Sequence, residues 1–210
     1  MTRALTRAGL GVAATLVAFA VGAEEPRPMP AARTQPETTL PGTAPPEARA
    51  TTVAEPAGYR SDPYRAPVPE TLTGAEVVGD AAAHALWHSG RVPFVDVMPT
   101  PVRPPDLPEG TFWRDPPRES IKGAVWLPNT GYDALDDATQ GYFFASLALL
   151  TKGDKDAPLV FFCMRDCWMS WNAGKRAIDS GYGRVFWYPG GSDGWAAAHW
   201  PTERIHPFQP

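Results

Sequence analysis

The chain contains two cysteines, Cys163 and Cys167, which lie four positions apart in its 210 residues. They follow the apolar run Leu159 to Phe162 and precede a segment that is typical of a helix. A cysteine at the point where a buried strand gives way to a helix lies among backbone N–H groups that lack partners within the helix, and such surroundings favour the thiolate. Any sulfur chemistry of this protein therefore takes place in this one loop.

Two thiols at this spacing define a candidate catalytic pair. A Cys163 thiolate can attack a sulfane sulfur and carry it as a persulfide, an anion that loop N–H groups and the dipole of the following helix stabilise. Cys167 can then attack the persulfide or pair with Cys163 in a redox-active disulfide. A purely structural disulfide is the alternative, although closing so short a loop stabilises a fold little. The candidate substrate-binding residues are the rest of the loop and the start of the helix: Met164, Arg165, Asp166, Trp168 and Met169.

Arg165 is the one cation within this loop. It can lower the pKa of the neighbouring thiol or bind an anionic sulfur donor, and a solvated surface arginine is the alternative.

No cofactor is expected. His84 and His88 lie four apart on a predicted helix and could share a metal ion, but no third ligand is evident, so surface placement is favoured and no metal site is predicted.

The amino terminus predicts export. Arg3 and Arg7 precede an apolar stretch from Ala8 to Ala20, and small residues end at Ala23, which together form the pattern of a secretory signal peptide over residues 1–23. A membrane anchor is the alternative, but the run is shorter than a spanning helix requires. We therefore expect a periplasmic protein, cleaved near Ala23 and free of the membrane afterwards.

Residues 24–70 are predicted to be a disordered, proline-rich linker. Eleven of these 47 residues are proline and no apolar periodicity is present, so the segment cannot bury enough surface to offset its conformational entropy. Its last part, Tyr59 to Pro69, has two tyrosines and can lie against the folded domain.

After cleavage the chain keeps 17 basic and 23 acidic residues, which argues against nucleic acid as a partner.

The remaining residues, 71–208, suit one α/β domain. Strands are predicted over residues 76–78, 92–97, 124–127, 159–162 and 184–188, and helices over residues 81–89, 142–150 and 169–180. This alternation predicts a mostly parallel central sheet with helices on both faces, whose ligands gather beyond the carboxyl ends of the strands.

The segment from Pro99 to Glu119 contains seven prolines and is an insertion that forms either a lid or docking surface, or a variable surface loop.

Four ordered segments of the domain resemble the rhodanese-like sulfurtransferase family. They are Pro93 to Val97, Ile121 to Pro128, Leu159 to Cys163, and Ser180 to Gly191 with Trp195. More narrowly, Tyr64 to Pro69, Cys163 and Cys167 to Ala173 resemble the exported proteins called PQQ-dependent catabolism-associated CXXCW motif proteins. The resemblance implies the rhodanese-like fold, persulfide chemistry and a role beside PQQ-dependent alcohol oxidation.

Departures from the family pattern concern substrate recognition. Rhodaneses commonly carry an arginine near the end of the cysteine loop, and here the loop is about one residue longer and lacks it. The phosphatases of this fold need that arginine to clamp a phosphate, so phosphatase activity is not expected. Met98 stands in the place of another usual arginine, and Ser120 in the place of a usual histidine.

The function predicted from the sequence is an exported rhodanese-like protein that uses Cys163 for persulfide sulfur transfer or thiol-disulfide exchange. Its substrate would be a sulfane sulfur or a thiol. The alternative is a catalytically idle binding module that recognises a periplasmic PQQ-dependent dehydrogenase or its cytochrome.

Overall fold

Strands and helices alternate through most of residues 53–113 and 116–210, which are the residues that the computed structural model describes. The predicted signal peptide and residues 24–52 of the predicted linker lie outside them. The strands are β1 (Ala75–Val77), β2 (Phe94–Asp96), β3 (Arg118–Ile121), β4 (Val125–Trp126), β5 (Leu159–Phe162), β6 (Val185–Tyr188) and β7 (Thr202–Ile205). The helices are α1 (Asp80–His88), α2 (Asp137–Thr151), α3 (Trp168–Asp179) and α4 (Gly191–Ala197).

Five strands form a parallel sheet in the order β1-β6-β5-β2-β4. Side chains alternate along β5, so Leu159 and Phe161 face the core against α2 and α3, whereas Val160 and Phe162 face the core against α1 and α4. Every residue of β5 is buried because helices cover both faces. This architecture confirms the predicted fold class, a mostly parallel sheet with helices on both sides.

A second sheet was not predicted. It pairs β3 with β7 in antiparallel register, with Ser120 opposite Glu203. Both strands carry charged residues on their exposed side, which removes the continuous apolar run that marks a buried strand. Helix α4 was also missed, since Gly190 just before the helix and Gly191 and Gly194 within it are typical of turns.

The predicted boundaries of α2 were wrong at its amino terminus. The apolar run begins at Tyr142, but the helix begins at Asp137 because the Asp136 side chain accepts a hydrogen bond from the Thr139 amide at 2.7 Å and caps the first turn. The carboxyl end was predicted well, because the predicted helix ends at residue 150 and the observed one at Thr151. Lys152, the next residue, adopts a left-handed conformation that ends the helix.

The proline-rich insertion contains neither helix nor strand in its described residues 99–113 and 116–117. Its two ends meet beside the sheet, where Pro99, Pro101, Pro116 and Pro117 line a pocket of about 130 Å³ together with Met98, Arg118 and Trp126.

No helix in the described part of the chain is long and apolar enough to cross a membrane.

Candidate active site

The cysteine loop starts where β5 ends and stops where α3 begins. Cys163 directly follows Phe162, and Cys167 precedes the first residue of α3. The two cysteines form a disulfide whose Cα atoms lie 6.3 Å apart, within the range of about 4.4 to 6.8 Å that a disulfide needs. Cys163 is fully buried and Cys167 is 6% exposed, so the disulfide is shielded from solvent in this state.

The next strand of the sheet brings a third sulfur to this loop. Because β2 and β5 are parallel, with Asp96 opposite Phe162, the residues that follow each strand meet at the same edge. The Val97 amide donates to the Phe162 carbonyl at 3.1 Å, which extends this pairing beyond the strands. Consequently the Sδ of Met98 lies 3.5 Å from the Sγ of Cys163.

The start of α4 closes the loop from another side. The Ser192 amide donates to the Cys163 carbonyl at 2.9 Å. Gly191 has φ +56°, and a Cβ added there would lie 2.7 Å from the Cys163 carbonyl oxygen and 2.9 Å from the Met164 Cα. Both the backbone conformation and the close approach therefore require glycine at this position.

A buried carboxylate network supports the same edge of the sheet. Asp96, at the end of β2, accepts from Arg118 Nε and Ser120 Oγ, each at 2.5 Å, and from the Met98 amide at 2.9 Å. Arg118 also donates to Ser192 Oγ at 3.1 Å. Burial raises the pKa of Asp96, while the Arg118 charge and the three hydrogen bonds oppose this rise. The network thus connects β2, β3 and the start of α4 around the backbone of Cys163.

The part of the predicted linker that the structure describes lies on the domain. We call residues 59–68 the strap. The Ala66 amide donates to the Asp166 carbonyl at 3.0 Å, and the Trp168 amide donates to the Tyr64 carbonyl at 2.8 Å, so that Arg65 and Cys167 form an antiparallel bridge. The strap therefore pairs with the outer edge of the cysteine loop as a short strand would.

Side chains of α3 fasten the strap at two further points. The Asn172 side chain accepts from the Arg60 amide and donates to the Arg60 carbonyl, both at 2.9 Å. The Trp168 indole donates to the Pro67 carbonyl at 3.1 Å. The buried side chains of α3 thus satisfy backbone groups of the strap, and this holds the strap over the loop.

The predicted substrate-binding residues lie in different surroundings. Trp168 and Met169 are 3% and 4% exposed, so neither offers a surface to a substrate in this state. Met164 is half-buried, and its sulfur lies 2.7 Å from Arg65 Nη1 of the strap. Asp166 is exposed and adopts a left-handed φ of 53°.

Arg165 is directed toward α4. A Cβ added to Gly194 would lie 3.2 Å from Arg165 Nη2. The same region contains the Tyr188 hydroxyl, which donates to Asp80 at 2.8 Å. Burial chiefly, and then the Asp80 hydrogen bond, raise the pKa of Tyr188, whereas the positive charge of Arg165 lowers it. The structure thus places this guanidinium on the α4 side of the loop, beside a buried phenol.

Sequence reasoning did not identify Arg118 or the strap pairing as parts of the site. Arg118 was counted with the proline-rich insertion, although a cation two positions before Ser120, in the alternation of a strand, was the available signal. The two tyrosines indicated that Tyr59 to Pro69 can lie against the domain, but the pairing of the strap with the cysteine loop was not predicted, because backbone pairing of an irregular segment does not depend on side-chain periodicity. His84 stacks on Trp200, with ring centroids 4.4 Å apart, and no group of three His, Cys, Asp or Glu residues that could hold a metal exists in residues 53–113 and 116–210.

Comparison with protein families identifies this chain. Its residues 81–198 match the model of the rhodanese-like domain family, and since this match spans more than half of the chain, the protein belongs to that family. None of the curated proteins compared with it matches its sequence.

Solved structures with a similar backbone fold include two sulfurtransferases. One is the polysulfide-sulfur transferase homodimer from Wolinella succinogenes, with 20% sequence identity and a TM-score of 0.40, over 64% of this chain and 83% of that one. The other is the human single-domain sulfurtransferase TSTD1, with 23% identity and a TM-score of 0.36, over 59% of this chain and 96% of that one.

Proposed function

We propose that this rhodanese-family protein transfers sulfur through Cys163 and uses Cys167 to complete the reaction by thiol-disulfide exchange. The observation that carries the proposal is the Cys163–Cys167 disulfide at the junction of β5 and α3. A thiolate released at this junction lies beside the first turn of α3, whose dipole favours negative charge. The family membership supports the same chemistry.

The reaction has two steps that balance in atoms and electrons. The Cys163 thiolate attacks the outer sulfur of a sulfane donor, and the donor leaves with the electron pair of the broken S–S bond. The Cys167 thiolate then attacks Cys163 Sγ, forms the disulfide and displaces hydrosulfide. The transferred sulfur is reduced to sulfide while the cysteine pair is oxidised, and an external dithiol reduces the disulfide again through two exchanges.

Export and an association with PQQ-dependent alcohol oxidation are further parts of the proposal. The signal-peptide pattern of residues 1–23 supports export, and an oxidising compartment would keep the pair as a disulfide. The PQQ association is supported by the resemblance of Tyr64 to Pro69 and of Cys167 to Ala173. A strain that lacks this protein should lose growth on alcohols that are oxidised by a PQQ enzyme, and unchanged growth would refute the association.

A second candidate function is that of a binding module without catalysis. The observation that favours it is the burial of the disulfide, since Cys163 is fully buried and the strap covers Cys167. A buried bridge that no thiol can reach would act only as a clip. In that case the protein would contribute its surface, including the proline-rich insertion, to a quinoprotein dehydrogenase or its cytochrome.

Intact mass spectrometry distinguishes the two functions. The exported protein, first reduced with dithiothreitol and then given thiosulfate, should return to the disulfide and release sulfide. Cys167→Ser should instead accumulate one added sulfur atom on Cys163, and Cys163→Ser should accumulate none. A native disulfide that resists dithiothreitol until the protein unfolds, or a Cys167→Ser protein that takes up no sulfur, would leave the binding module.

A further inference from the structure

Three sulfur atoms converge at the carboxyl ends of β5 and β2. Cys163 and Cys167 are bonded to each other, and the Met98 Sδ lies 3.5 Å from Cys163 Sγ. The parallel pairing of β2 with β5 fixes this arrangement, because Asp96 is opposite Phe162 and the Val97 amide, the next one after β2, donates to the Phe162 carbonyl. The thioether is thus positioned by the sheet rather than by a mobile loop.

We propose that the reduced protein binds one Cu(I) ion through the thiolates of Cys163 and Cys167 and the thioether of Met98. The proposal goes beyond sulfur transfer and does not depend on it. It requires only that the disulfide can be reduced, after which the two cysteines and Met98 supply three soft ligands.

The distances suit a metal with three sulfur ligands. A first-row metal held at about 2.3 Å from each sulfur separates those sulfurs by roughly 3.8 to 4.0 Å. The observed separation of 3.5 Å between Met98 Sδ and Cys163 Sγ is close to that value. The Cα atoms of the two cysteines are 6.3 Å apart, so both thiolates can reach one ion by side-chain rotation after the S–S bond is broken.

The surroundings select Cu(I) among the common metals. Residues 53–113 and 116–210 contain no group of three His, Cys, Asp or Glu residues that could hold a metal, and zinc prefers such ligands to a thioether. The sulfurs belong to an apolar cluster with Val97 and Leu127, both fully buried. Thiolate and thioether sulfurs are soft ligands of the kind that select Cu(I).

Reduction controls access to this site. The disulfide has no thiolate to offer, so an external dithiol must first donate two electrons and become a disulfide itself. Cu(I) then binds with the release of the thiol protons, and therefore its affinity rises with pH until both thiols are ionised. The reverse exchange with an external disulfide, which accepts two electrons and becomes a dithiol, would re-form the S–S bond and release the ion.

The test measures competition for Cu(I) with bicinchoninate, whose coloured Cu(I) complex loses absorbance when the protein removes the metal. Reduced wild-type protein should take up one Cu(I) per chain, whereas the disulfide form should take up none. Met98→Leu, which keeps the side-chain size but lacks sulfur, should bind at least about tenfold more weakly. Met164→Leu is the matched control, because Met164 sulfur contacts Arg65 instead, and it should bind as the wild type does.

X-ray absorption of the reduced wild-type protein with Cu(I) should show three sulfur ligands. Failure of the reduced wild-type protein to remove Cu(I) from bicinchoninate would overturn the proposal, as would equal affinity of folded Met98→Leu or a spectrum with two sulfur ligands. None of these results would affect sulfide release from thiosulfate, so failure of the copper site and failure of sulfur transfer are separable.

Discussion

The Tyr64 carbonyl oxygen accepts a hydrogen bond of 2.8 Å from the Trp168 amide, the first N–H of α3. Amides at this position have no partner within the helix and can therefore stabilise an anion near the cysteine. Here a residue of the strap occupies one of them. The strap therefore competes with any anionic substrate for the amino terminus of α3 and holds Cys167 in its buried position.

Loosening the strap should expose the disulfide. Ala66→Pro removes the amide that donates to the Asp166 carbonyl at 3.0 Å. Losing a hydrogen bond worth about 0.5 to 1.5 kcal/mol should accelerate reduction by dithiothreitol by about two- to tenfold. Ala66→Ser keeps the amide and is the matched control. Thiol alkylation followed by intact mass measures both rates, and equal rates in the two variants would show that the strap does not limit access.

The ion pair between Asp96 and Arg118 should be important for stability. Asp96 is fully buried and the Arg118 side chain is 14% exposed, so Arg118→Leu leaves an uncompensated buried carboxylate. We expect the free energy of unfolding near neutral pH to fall by about 3 to 5 kcal/mol. Arg204→Leu is the control, since its pair with Glu119 is 3.9 Å long and its side chain is 79% exposed. Urea denaturation should show almost no change for the control.

The pH dependence of the Arg118→Leu variant gives a sharper test. Burial raises the folded-state pKa of Asp96, so the folded protein keeps this proton where the unfolded chain has released it. Stability from this group is therefore greatest at low pH and is lost as the pH rises through the folded pKa. Removing the Arg118 charge raises that pKa further, so the destabilisation should be smaller at about pH 4 than at about pH 7. A destabilisation that is independent of pH would contradict this mechanism.

The sequence predicted the central sheet well because burial on both faces leaves a clear pattern. The strands at 159–162 and 184–188 were predicted almost to the residue, since β5 and β6 are buried throughout. The small sheet of β3 and β7 was missed because Arg118, Glu119 and Glu203 give it no apolar periodicity. Tertiary pairing, rather than local preference, forms these strands.

The candidate site was predictable in its cysteines and less so in its neighbours. The spacing of Cys163 and Cys167 allowed a disulfide, and the structure has one. The position of Met98 against Cys163 depends on the register of β2 with β5, and the burial of Trp168 depends on the strap. Such relations between distant segments require the fold, because no local pattern encodes which irregular segment covers a helix terminus.

Gly191 offers the last prediction, on the close contact between α4 and the cysteine loop. Gly191→Ala forces a residue with a side chain into φ +56° and places its Cβ 2.7 Å from the Cys163 carbonyl oxygen. We expect a loss of about 2 to 5 kcal/mol in the free energy of unfolding, which combines backbone strain with overpacking. Gly123→Ala separates the two effects, because Gly123 has φ +80° with nothing within 4 Å of an added Cβ. That control should lose only about 1 kcal/mol. Urea denaturation measures both losses, and equal losses would show that the contact with the cysteine loop adds no strain of its own.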